Sequence, residues 1–62
     1  MWIKTQTGNL IETRKITMGK DNRSLEAEGE TIGAYRSTKQ AKDKMKEIER
    51  AILKGQNIFI IK

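Results

Sequence analysis

The sequence predicts a small α+β domain: an antiparallel β-meander packed by one amphipathic helix, with a C-terminal strand, in the order ββββαβ. Three observations lead there. Residues 1–36 are rich in Thr, Ile and Gly, with short apolar alternations broken by turn residues, the pattern of successive short strands. Residues 37–55 switch to a helical period. The chain then closes on Asn57-Ile58-Phe59-Ile60-Ile61, a compact β-forming run.

Trp2-Ile3-Lys4-Thr5-Gln6 reads as the first strand, closed by Thr7-Gly8-Asn9. Leu10 to Met18 is the second, with a bulge or break expected near Glu12 to Arg14, where the alternation loses phase. Gly19-Lys20-Asp21-Asn22 is a turn signal, Ser24 to Glu28 a third strand, Gly29-Glu30 a tight turn and Thr31 to Tyr35 a fourth strand. Ser37 followed by Gln40 makes a capping box at the helix start, each side chain satisfying a backbone N–H that the helix leaves free. Ala41, Met45, Ile48 and Ile52 then fall on one narrow stripe. Lys39, Asp43, Lys46, Glu47 and Arg50 lie opposite, and Gly55 is placed to end the helix. The closing run does not alternate, so both faces of that strand are expected to be covered.

Sixty-two residues form one domain, spanning 1–62. A chain this short buries only about 60% of the surface it exposes when unfolded, and small domains commonly gain stability from disulfides, metals or oligomerisation. There is no cysteine and no histidine, which leaves oligomerisation open and gives no expectation of a metal or cofactor. No secretory leader and no membrane span are expected, because Met1-Trp2-Ile3 runs straight into Lys4. A cytoplasmic location follows as the expectation.

Catalysis needs a nucleophile beside a base, paired carboxylates or a metal. Glu26 and Glu28 are the closest regular acidic pair, an arrangement more typical of a wet strand edge. The threonines have no base to activate them, and no glycine pattern resembles a phosphate loop. A non-enzymatic protein is expected. Net charge is +5, from thirteen Lys and Arg against eight Asp and Glu, and this raises nucleic-acid binding. Single-strand binders interleave several aromatics with basic residues, however, and this chain has one Trp, one Tyr and one Phe. The acids between the helix lysines also suit an ordinary solvated face.

Alternation puts Trp2 and Ile3 on opposite faces of the first strand, and Ile58 and Ile60 opposite Phe59 and Ile61 in the last. One helix covers one face of a sheet, so large apolar groups should remain on the other, a mark of association surfaces. Strong sheet curl gathering them into a single core is the competing reading. The expected contact residues are Trp2, Phe59 and Ile61, with Tyr35 at the rim and Leu53, off the apolar stripe, beside them. A homodimer is the expected assembly. Lys39, Lys46 and Arg50 form the expected charged binding face.

Met1-Trp2-Ile3-Lys4-Thr5-Gln6, Gly33-Ala34-Tyr35-Arg36-Ser37, Ala41 with Glu47-Ile48, and Ile52, Gly55 and Ile58-Phe59 together span nearly the whole chain. They resemble the pattern of short phage and prophage proteins of Bacillus-type bacteria, most without an assigned function. The resemblance implies no catalytic residues. It implies instead a stoichiometric inhibitor of a host protein, an antiviral defence factor above all, acting through protein–protein contact. The alternative is a small basic nucleic-acid-binding regulator that uses the same helix face.

Overall fold

Six short strands and one helix run in the order β1 (Trp2–Lys4), β2 (Leu10–Glu12), β3 (Thr17–Met18), β4 (Ser24–Ala27), β5 (Glu30–Ala34), α1 (Thr38–Leu53) and β6 (Ile58–Ile60), in a computed structural model that describes residues 1–62. The expected α+β architecture is present, with one division. The strand expected over Leu10 to Met18 is split at its predicted break into β2 and β3, which belong to different sheets. One sheet has the order β2-β1-β6 and the other β3-β4-β5.

The reason for the split is a matter of phase. Ile11 and Ile16 both pack on the core, yet residues five apart in an unbroken strand point to opposite faces. The chain must turn between them. Thr13 pins that corner, buried to 4% exposure. Its amide donates to the Met1 carbonyl at 2.9 Å. Its hydroxyl accepts from the Lys15 amide at 3.2 Å and lies 3.1 Å from Glu28 Oε2.

Strands β1 and β2 pair antiparallel with Ile3 beside Ile11, while β1 and β6 pair parallel with Ile3 beside Phe59. Strands β3, β4 and β5 form an antiparallel meander with a bulge between Leu25 and Glu26. Asp21 builds the β3–β4 turn by accepting from the amides of Arg23 and Ser24 at 3.0 and 3.1 Å. The β4–β5 turn falls on Glu28-Gly29, one residue earlier than the sequence suggests. Both residues have positive φ, 52° and 78°, as two-residue hairpin loops require.

Helix α1 is capped as expected at its start. Ser37 Oγ accepts from the Gln40 amide at 3.2 Å, while Gln40 Oε1 reaches one residue further back, accepting from the Arg36 amide at 3.0 Å. At the other end Gly55 has φ 75°. The Gly55 amide donates to Ile52 O and the Gln56 amide to Ala51 O, both at 3.0 Å, the paired bonds of a Schellman ending. The stripe of Ala41, Met45, Ile48 and Ile52 faces inward, with Ala51 buried beside it.

The core lies between the two sheets and the helix. Ile3 and Ile61 come from the first sheet and the segment after it, Leu25, Ala27 and Ile32 from the second, and Ala41 and Ile48 from α1. Gln6 joins the two sheets just beyond β1. Its amide donates to the Ile32 carbonyl at 3.0 Å, its Oε1 accepts from the Ala34 amide at 2.7 Å, and its Nε2 donates to the Lys62 carbonyl at 3.4 Å. Gln6→Ala removes both side-chain bonds and is expected to lower the unfolding free energy by about 1 kcal/mol, read as a lower urea midpoint at unchanged helical signal.

Candidate functional site

Pairing registers decide which side chains share a face. On the first sheet, Ile11, Ile3 and Phe59 are in register and point to the core. The other face is a grid of two rows. Glu12, Trp2 and Ile58 form one row, and Leu10, Lys4 and Ile60 the other. Four of these six are large and apolar, yet they stay open to solvent: Trp2 44% exposed, Leu10 55%, Ile58 47% and Ile60 57%. No element of the chain covers them. Ordinary surfaces scatter such residues singly, whereas a contiguous patch is characteristic of contact surfaces.

This placement corrects the expected phase of the last strand. Trp2 is on the open face as expected, but Phe59 and Ile61 are not. Ile61 is 3% exposed in the core, and Phe59 is half-buried against it. Ile58 and Ile60 take the open positions, so only one side of the closing strand is covered by the chain itself. The parallel register with β1 sets that phase, and it is a contact between opposite ends of the sequence. Leu10 joins the face through its pairing with Lys4, which an unbroken strand over 10–18 does not signal.

Tyr35 and Leu53 lie elsewhere. The Tyr35 ring crosses the face of Gly33, where an added Cβ would sit 2.7 Å from the phenol oxygen. The Gly-x-Tyr spacing is thereby explained as packing. The Tyr35 hydroxyl is buried and has no hydrogen-bond partner. Burial pushes its pKa above the usual 10.0, a shift that Lys44 opposes and Glu47 reinforces. Lys44 Nζ also stands 5.9 Å from the centre of the Phe59 ring and pairs with Glu47 at 2.8 Å. Leu53, 87% exposed at the helix end, borders an open hollow of about 320 Å³ with Arg14, Glu49 and Ile52.

Lys39, Lys46 and Arg50 all lie on the solvent side of α1, at the spacing that aligns residues along one helix face. Lys39 pairs with Asp43 at 3.2 Å, both side chains well exposed, an arrangement that contributes little to stability. Glu26 and Glu28 do not form the strand pair their spacing suggests. Glu28 stands in the turn, with its carboxylate against Thr13. No group of three or more acidic side chains converges, and no helix is long and apolar enough to cross a membrane.

Comparison with protein families, with curated proteins and with solved structures finds no match in any of the three.

Two expectations follow from these positions. Ile61→Ala is expected to cost about 2–5 kcal/mol of stability, whereas Ile60→Thr, exposed and still β-branched, is expected to cost about 0.5 kcal/mol or less; paired denaturant titrations read the difference. The folded-state pKa of Tyr35 lies above its unfolded value, so its contribution is full below the unfolded pKa and is lost as pH rises through the folded one. Tyr35→Phe is therefore expected to be close to neutral at pH 7, where it removes an unpartnered hydroxyl, and to flatten the alkaline loss of stability in melts taken above pH 10.0.

Proposed function

We propose that the chain is a non-enzymatic, phage-type binding protein that acts as a homodimer in the host cytoplasm, as a stoichiometric inhibitor of a host antiviral-defence protein through protein–protein contact. The observation that carries this reading is the open face of Trp2, Leu10, Ile58 and Ile60. A chain of 62 residues has little apolar surface to spare from its core, and here four large side chains are held outside it. Tryptophan is among the residues that most often anchor protein contacts. The resemblance to short phage proteins of Bacillus-type bacteria gives the reading its biological setting.

Within it, the sheet face provides the apolar contact and the helix provides charge. Lys46 and Arg50, neither engaged in an ion pair, present positive charge to an acidic target beside Lys39. Charges at the rim of an interface act mainly on the rate of encounter. Leu53, apart from that face, offers a separate apolar contact at the helix end. Tyr35, Phe59 and Ile61 support the core and make no partner contact in this reading.

The same two unpaired cations favour a second reading, a nucleic-acid regulator bound through phosphate contacts. The tagged protein, used to capture partners from a Bacillus-type lysate with and without nuclease, separates the two. A single host protein retained after nuclease, and lost with Trp2→Ala, is expected. Lys46→Glu with Arg50→Glu is expected to slow capture without abolishing it. Recovery that vanishes with nuclease, or only with the charge reversal, contradicts the inhibitor reading.

A further inference from the structure

The open face of the first sheet carries two charges among its four apolar residues, and their positions name an occupant. Lys4 is on the central strand β1, and Glu12 on β2 stands diagonal to it in the other row. Both are exposed. They make no ion pair with each other, the ion pairs of the chain being Lys39–Asp43 and Lys44–Glu47. The face is thus neutral, with one unpaired charge of each sign, in a chain whose net charge is +5. Two copies of a strongly basic protein repel each other over most of their surfaces. This face adds no repulsion of its own.

We infer that the outer face of β2-β1-β6 binds a second copy of this chain, through a two-fold axis lying in the interface at right angles to β1. This rests on the homodimer reading above and gives it a register. Such an axis keeps each strand over its own counterpart and exchanges the two rows of the grid. Ile58 then lies on Ile60 of the second copy, and Leu10 on the aliphatic part of Glu12. Lys4 meets the second copy's Trp2 ring, a cation–π contact. It stands one strand spacing, about 4.8 Å, from the second copy's Glu12 carboxylate. Symmetry makes each of these contacts twice. The other in-plane axis, along β1, stacks Lys4 on Lys4 and sets Glu12 against Ile58, so charge selects the first.

The contact is small. Six residues from each copy remove on the order of 1,000 Å² from water, the lower limit for a specific interface. A dimer with a micromolar dissociation constant is expected, monomeric when dilute.

The test is a charge swap read by sedimentation equilibrium from a few micromolar to the millimolar range, with circular dichroism confirming that each variant is folded. Lys4→Glu and Glu12→Lys are each expected to weaken the dimer by tenfold or more, and the double variant, which re-forms the ion pair but not the contact with Trp2, to recover part of that loss and bind more tightly than either single variant. Trp2 fluorescence is expected to shift to the blue as the unaltered protein is concentrated. Monomeric behaviour throughout the range overturns the inference, as does a dimer indifferent to both single reversals or a double variant that binds no more tightly than the single ones. The inhibitor reading fails separately: a swap-sensitive dimer that captures no host protein leaves the dimer standing. A monomer that still needs Trp2 for capture assigns the face to the target and overturns the inference alone.

Discussion

The parallel pairing of β1 with β6, which sets Ile3 beside Phe59, is the contact on which the rest of the structure depends. It joins the two ends of the chain and makes β1 the centre of its sheet. It places Ile3 in the core with no exposure, and delivers Ile61 to the same core one step beyond β6. Because side chains alternate, it simultaneously assigns Trp2, Ile58 and Ile60 to the outside. The apolar face is therefore the geometric complement of the core. No surface substitution has to be invoked to explain it.

A single helix cannot cover two sheets. Helix α1 packs its stripe into the space enclosed by both, aided by the corner at Thr13, which folds the two sheets toward each other, and by Gln6, which ties them at the far end. That solution gathers one core from every element but leaves one broad sheet face unpartnered. Most of the molecule's other surface is charged or polar, and the helix side that carries Lys39, Lys46 and Arg50 is well solvated. The two surfaces differ in kind: one is apolar and open to solvent, the other carries positive charge.

Much of this was legible in the sequence because it is written in local signals. The capping residues Ser37 and Gln40, the apolar stripe of α1 and Gly55 specify the helix from one end to the other; the turn at Gly19–Asn22 announces itself by composition, and the one around Gly29 does so to within a residue. The break in the second strand was visible as a loss of phase at Glu12 to Arg14, although its consequence, a second sheet, was not. The open face was anticipated as a kind of surface, from Trp2 opposite Ile3, but half of its occupants were assigned in reverse. Phe59 and Ile61 were expected outside and are inside. Four consecutive apolar residues contain no preference for either phase, and only the register with a strand more than fifty residues earlier in the chain resolves it. Lys4 and Glu12 were invisible for the same reason, since their diagonal relation exists only once β1 and β2 are paired.

The most direct measurement is the concentration dependence of backbone amide chemical shifts, residue by residue, from tens of micromolar to a millimolar. Shifts confined to β2, β1 and β6, largest at Trp2, Lys4, Ile58 and Ile60, are the result a two-fold contact through this face requires. Spectra that do not change with concentration, or changes that cluster on α1 around Lys46 and Arg50, would contradict it.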